Sequence, residues 1–309
     1  MVEQAAQERF AALVKLLRAP GPVNPDYVAP EAEACAQAGV TEAMLLAAAI
    51  AAAGWERAQD WDAALDWLAA AAEAGSSSAR AQLSLLTGRQ DENWRALARS
   101  ADIEAWRSAR TRRVARETPW IAMSEGFLDA RQCAWLIARA RPLEEASLVY
   151  DAVTGKAVQH DVRTNTAATF QLIDIDAPML LLRERVANTV GVPVSHLENL
   201  SIFHYLPGQR FTSHVDYLTP SRDRADIAAR GQRAYTFLVY LNDDFDAGGT
   251  HFIDLGQTFR GKAGEALFWR NATETGEPDP RTTHEGLTPT RGEKWVLSIF
   301  IRDKPQTFG

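Results

Sequence analysis

A chain of 309 residues, 46% hydrophobic and 24% charged with a net charge of -7, has ordinary globular composition and the length for about two domains, which excludes disorder as the default. Its acidic balance argues against general affinity for nucleic-acid backbones, although residues 107–116 and the stretch holding Arg222, Arg224, Arg230 and Arg233 are local basic patches. Cys35 and Cys133 are single, widely spaced thiols, so neither a disulfide framework nor a cysteine zinc site is expected, and a reducing cytoplasm fits best.

The first twenty residues carry acidic side chains early and no continuous apolar core, the pattern of an amphipathic helix rather than a signal peptide. No later stretch approaches the run of about 18 apolar residues that a membrane span requires. Residues 31–116 are rich in Ala, Leu, Trp and Arg without proline, which predicts helices. Ala36, Ala38, Gly39 and Ala43 recur 36 positions later as Ala72, Ala74, Gly75 and Ala79. A period of this length is typical of stacked helix pairs, with small residues at close approaches and glycine at helix ends. The stretch "DAALDWLAAAAEAGSSSARAQL" resembles the SEL-like repeats, relatives of tetratricopeptide repeats, which implies a protein-docking scaffold; an alanine-rich bundle is the plainer alternative.

After Thr118-Pro119 the texture changes to short β-type segments: "ASLVYD", "AATFQLID", "LSIFHYL", "AYTFLVYL", "GTHFID", "EALFWR" and "KWVLSIFIRD". Two helices interrupt them, one capped by Asp129 with Gln132, the other opened by Pro178 and running to about Val190. The expectation is an α+β chain: a helical repeat-like domain over residues 1–117 and an antiparallel jelly roll over 118–309.

In "LSIFHYL", strand alternation places Ser201, Phe203 and Tyr205 on one face and Ile202, His204 and Leu206 on the other. His214 and Asp216, two apart, project together, so an imidazole and a carboxylate can converge on one ion; a His-Asp hydrogen bond on an ordinary strand is the alternative. Downstream, "THEGLTPTRGEKWVLSIFIRD" supplies His284 and then Lys294. Two histidines and one carboxylate form the triad that leaves adjacent metal positions open for non-haem Fe(II) and O2 chemistry. A structural zinc site would need a fourth ligand, and the spacing of His251 and Asp254 does not single them out.

Residues 119–304 resemble the 2-oxoglutarate and Fe(II)-dependent dioxygenases of the prolyl 4-hydroxylase branch. The resemblance is carried by Tyr205-x-x-Gly208-x-x-Phe211-x-x-His214-x-Asp216, then "TFLVYLND", a glycine-rich turn reaching Thr250 and Phe252, "GEALFWRN", and His284 with "GEKW" placing Lys294. "VRTN" at 162–165 is similar to the segment that opens that branch's mobile substrate loop, where serine is usual in place of Asn165. The resemblance implies a double-stranded β-helix, Fe(II) on His214, Asp216 and His284, and 2-oxoglutarate with its far carboxylate on Lys294 and Tyr205, with Thr250 beside them. It implies O2 as cosubstrate, ascorbate as reductant, and Arg163 as a substrate contact or loop anchor.

The expected function is hydroxylation of a peptidyl side chain, proline foremost, with a polar loop over 151–165 and the arginines of 218–234 selecting the substrate. Hydroxylation of a free amino acid or small metabolite is the alternative, and a non-catalytic binding protein or a nucleic-acid demethylase are weaker readings. His160 and His196 are expected at the surface, His204 packed within its strand, and Phe211, Trp269 and Trp295 in the core.

Overall fold

The computed structural model describes residues 2–19, 21, 23–55, 57–147, 149–150, 157–158, 162–273, 275 and 277–306. It divides into two compact units, a helical one made of residues up to 109 together with 170–190, and a β-rich one made of 110–169 and 191–306.

In the helical unit the 36-residue period is a structural repeat. Pro25–Gln37 turns into Thr41–Ala53, and Trp61–Glu73 turns into Ser77–Thr87. Both turns close in the same way. Ala38 and Ala74 cap the first helices, Gly39 and Gly75 follow at φ +97° and +99°, and the next amide reaches back to Cys35 O or Ala71 O. That left-handed conformation is the one glycine adopts without strain, and the buried Ala43 and Ala79 mark the close approaches.

The helix Ala177–Val190 joins this unit, although the sequence reading placed it within the jelly-roll stretch. Arg185 Nε donates to Trp106 O at 2.6 Å, Asn188 Nδ2 to Arg107 O at 2.7 Å, and Glu184 accepts from Gln59 at 2.7 Å. Its buried charges thus find partners far away in sequence. The preceding strand is correspondingly shorter than "AATFQLID", ending at Thr169 before a turn in which Asp174 N–H reaches Gln171 O.

The β-rich unit holds two facing antiparallel sheets. The larger runs Arg113–Arg116, Ile121–Ser124, Ala266–Arg270, Arg233–Tyr240, Lys294–Arg302, Ser201–Tyr205, Thr166–Thr169, Glu145–Ala146; the smaller runs Gln257–Phe259, Thr250–Phe252, His284–Gly286, Phe211–His214. Followed along the chain from Ser201, with the separate pair Asp246–Ala247 and Pro289–Arg291 set aside, eight strands pass between the sheets so that the first, third, sixth and eighth lie in the larger and the others in the smaller. That winding is the double-stranded β-helix, or jelly roll. Between the sheets Phe252, Phe245, Tyr240, Trp269 and Val296 are buried, as expected of Trp269, and Trp295 is buried as well. The expected cap is present: Asp129 and Gln132 form a capping box on Ala130–Ala140, which buries Cys133, Leu136 and Ala140. Among the described residues no helix is long and apolar enough to cross a membrane.

Candidate active site

The smaller sheet pairs Phe211–His214 with His284–Gly286 so that His214 lies directly opposite His284. Asp216 follows two residues later, in a bend beyond the strand end. His214 Nε2 is 3.5 Å from Asp216 Oδ1 and His284 Nε2 is 3.5 Å from Asp216 Oδ2. One ligand atom from each residue lies within 4.8 Å of the others, the one such cluster among the described residues.

Each imidazole is oriented by the backbone. His214 Nδ1 donates to Thr212 O at 2.8 Å and His284 Nδ1 to Thr282 O at 2.9 Å. A carbonyl can only accept, so the proton sits on Nδ1 and the lone pair of each Nε2 faces the shared space. Burial, opposed by Asp216, draws His284 down to about 4, which keeps it neutral and able to ligate at physiological pH. Burial alone would raise the Asp216 carboxyl, but His284, His214 and Thr236 together hold it well below the usual carboxylate range. Two imidazole nitrogens and one carboxylate on one face fit a divalent iron with positions left open.

The same cavity, about 640 Å³ in volume, is also lined by Tyr205, Lys294 and Thr250. Tyr205 and Lys294 are register partners on adjacent strands of the larger sheet. Lys294 Nζ lies 4.8 Å from the Tyr205 ring and 5.7 Å from the Tyr240 ring, and no carboxylate of the described residues pairs with it. Burial lowers Lys294 to about 7 and raises Tyr205 to about 12. A buried cation of this kind calls for an anionic ligand. Gly248, at φ +68°, brings the backbone against the lysine stem, where a side chain would meet the Phe245 ring at 2.9 Å and Lys294 Cδ at 3.5 Å. Tyr240 spends its proton on Phe259 O at 3.0 Å, so Thr250 donates to Tyr240 at 2.9 Å rather than into the cavity.

Alternation in Ser201–Tyr205 is as read from the sequence: Phe203 and Tyr205 line the cavity, while His204 faces away and stacks on Trp295 at 3.8 Å with Glu144 2.8 Å from its Nδ1. Phe211 is not core. It lines the cavity and stacks on His214 with ring centroids 3.6 Å apart; regular alternation would put positions three apart on opposite faces, and the register of this strand against its neighbour shifts between His284 and Gly286. Arg163 sits 4.6 Å from both the Phe203 and Phe211 rings, with Nε donating to Asn165 at 3.2 Å. Burial lowers its pKa, and none of the described carboxylates forms an ion pair with it. Three of the four arginines after the His-x-Asp motif have carboxylate partners within the chain: Arg222 with Asp223, Arg230 with Asp226 and Arg233 with Glu198.

His196 is half-buried, 3.0 Å from Arg302 O, and His251 is 2.9 Å from Thr258. His160 and most of the expected substrate loop, 151–156 and 159–161, lie outside the described residues; Val149–Tyr150 pairs with Ala157–Val158, and Thr212 N–H reaches Val162 O at 2.8 Å. Two polar residues escaped the sequence reading. Thr236, buried on Arg233–Tyr240, donates to Asp216 Oδ2 at 2.7 Å, and Asn271 Nδ2 donates to Thr236 at 2.9 Å. Both stand inside quoted motifs, "TFLVYLND" and "GEALFWRN", which was the only signal.

Such a donor set on a double-stranded β-helix is that of a non-haem Fe(II) oxygenase. The profile of the 2OG-Fe(II) oxygenase superfamily matches residues 200–302. The chain is 32% identical to prolyl 4-hydroxylase 1 of Arabidopsis thaliana over 202 residues, 60% of this chain and 70% of that protein. It is 30% identical to probable prolyl 4-hydroxylase 10 of the same plant over 203 residues, 60% and 69% of the two. It is also similar to the viral collagen prolyl hydroxylase of Paramecium Bursaria Chlorella virus-1, solved with 2OG, at a TM-score of 0.45 and 21% identity over 59% of this chain and 95% of that one. The chain belongs to the 2OG-Fe(II) oxygenase superfamily, and its relatives there are prolyl 4-hydroxylases. It is a dioxygenase that uses Fe(II), 2-oxoglutarate and O2.

Proposed function

We propose that the protein hydroxylates a peptidyl side chain, proline at C4 foremost, with His214, Asp216 and His284 holding Fe(II). The observation that carries this reading is the similarity to prolyl 4-hydroxylase 1 across most of that protein's length. When bound, the iron supplies the oxidation: 2-oxoglutarate and O2 are converted to succinate and CO2 while one oxygen atom enters a substrate C–H bond. The chain's own residues orient the reactants. Lys294 and Tyr205 take the far carboxylate of 2-oxoglutarate, Thr250 steadies Tyr240 beside them, and Phe211 with His214 forms the wall on which the substrate ring rests. Arg163, a cation held between two aromatic faces without a carboxylate partner among the described residues, offers its guanidinium to a peptide carbonyl.

Ascorbate serves as reductant for the iron. The catalytic domain is assigned to 118–309, with a cytoplasmic location and without nucleic-acid or membrane partners, and residues 1–117 are assigned as SEL-like repeats that dock a protein partner. The repeat assignment is supported by the matching turns at Gly39 and Gly75.

The test is intact-mass analysis after incubation of Fe(II)-loaded protein with proline-containing peptides and, in parallel, free amino acids. Peptides are expected to gain a +16 Da product (one oxygen atom) coupled to succinate. Turnover of a free amino acid with none of any peptide would replace this reading by the small-molecule one.

The depressed Lys294 pKa adds a pH dependence. With the group at about 7, below its ordinary 10.5, the lysine is charged below that pH and neutral above it, and a carboxylate binds the charged form. The affinity of the Mn(II)-loaded protein for 2-oxoglutarate is therefore expected to be flat below pH 7. Above it, affinity should fall by up to about tenfold per unit, with proton uptake on binding. Calorimetry in buffers of different ionisation enthalpy reads both; affinity that rises between pH 7 and 9 would contradict it.

A further inference from the structure

We propose that Asn271 and Thr236 form a one-way hydrogen-bond relay that positions the Asp216 carboxylate for the metal, so that metal affinity depends on Asn271 through Thr236. The inference rests on the reading of His214, Asp216 and His284 as the iron site.

The two histidines sit opposite each other in a strand ladder and are each tied to a backbone carbonyl. Asp216 has neither support: it lies in a bend past the end of its strand. Its carboxylate is held instead by a side chain from the opposite sheet, the Thr236 hydroxyl, which is 2.7 Å from Oδ2. A hydroxyl has one proton. An ionised carboxylate can only accept, so that proton goes to Asp216 and the Thr236 oxygen is left to accept from elsewhere. Asn271 Nδ2 supplies that donor at 2.9 Å and can only donate, so the order Asn271 to Thr236 to Asp216 cannot reverse.

Asn271 is pinned at both ends of its peptide. Its N–H reaches Ala234 O at 2.8 Å, and its carbonyl accepts from Asp279 N–H at 2.9 Å. It is fully buried, yet its Oδ1 has no hydrogen-bond partner among the described residues. A tie between strands alone would not require an amide with one end unpaired in the core, since an apolar residue there would avoid that cost. The amide is explained by the donor it delivers. Thr236 and Asn271 are positioning residues: they touch neither substrate nor metal and act through Asp216.

Mn(II) binding to the full chain, followed by tryptophan fluorescence and calorimetry, tests this alongside the melting temperature of the metal-free protein. Thr236→Val, nearly isosteric, is expected to weaken Mn(II) by about 10–100-fold, the range for loss of an outer partner of a metal ligand. Thr236→Ser keeps the hydroxyl and should stay within about threefold of wild type, while Asn271→Ala should lose about 3–10-fold. Because Asn271 acts only through Thr236, the double variant should bind no more weakly than Thr236→Val alone. Wild-type affinity in Thr236→Val, or losses that add in the double variant, would overturn the relay. If Thr236→Val does not fold, Asn271→Ala decides alone, and unchanged Mn(II) affinity in it rejects the proposal. Asp216→Ala is the control: if it binds Mn(II) like wild type, the metal assignment itself has failed, a result separate from failure of the relay.

Discussion

Replacing His214 with alanine is expected to abolish succinate formation and to weaken Fe(II) binding by more than about 100-fold, since loss of even an outer partner of a ligand costs about 10–100-fold. Three donors converge here from two sources: the register of His214 against His284 and the reach of Asp216 across to both imidazoles. Removing any one leaves two donors, and removing either histidine also leaves the buried Asp216 without a matching partner on that side. His284→Ala and Asp216→Ala should therefore resemble His214→Ala rather than grade below it. Zn(II) and Co(II) should occupy the intact site and inhibit turnover, because the ordering of divalent affinities favours them over Fe(II) on nitrogen and oxygen ligands. Iron content after dialysis and single-turnover succinate yield measure both effects. Full iron content with wild-type turnover in Asp216→Ala would remove the triad assignment.

What could be read in the sequence was whatever depends on local spacing. Two residues separated by one in an extended segment must share a face, which made His214 and Asp216 visible as a pair and put His204 away from Tyr205. The repeat at Gly39 and Gly75 was visible for the same reason, since each turn closes on hydrogen bonds within six residues. His284 and Lys294 were found only through motif order, because their meeting with His214 and Tyr205 is set by strand register across some 70 to 90 positions.

Thr236 and Asn271 had no such guide. In sequence they are a β-type threonine and a turn asparagine, and only the pairing of Ala266–Arg270 with Arg233–Tyr240 brings them to one another and to Asp216. Phe211 was misread because its ring stacks on His214 across an irregular strand register and meets Arg163 from a segment distant in the chain, neither of which its motif position shows. The helix Ala177–Val190 shows the same limit at larger scale: Pro178 marked where it opens, but nothing local marked which helices would bury it.

Lys294→Ala is expected to raise the 2-oxoglutarate requirement tens to hundreds of fold while leaving iron affinity nearly unchanged. A charge-assisted contact to a carboxylate in a closed pocket is worth on the order of 2–3 kcal/mol, which corresponds to that range. The lysine is 2% exposed, and its approach is walled by the Tyr205 and Tyr240 rings and by the Gly248 backbone. That enclosure makes arginine a poor replacement. A planar guanidinium needs more width than an ammonium, so Lys294→Arg should recover only part of the loss despite its charge. Tyr205→Phe should cost less than Lys294→Ala, since a neutral donor is lost and the cation stays. Neither Lys294 nor Tyr205 is one of the three clustered donors, so Mn(II) titrations of all three variants should overlay wild type while their 2-oxoglutarate titrations separate in that order. Equal 2-oxoglutarate affinity in Lys294→Ala and wild type would mean that the far carboxylate is held elsewhere. A parallel loss of metal would mean instead that the lysine supports the fold of the site rather than the cosubstrate.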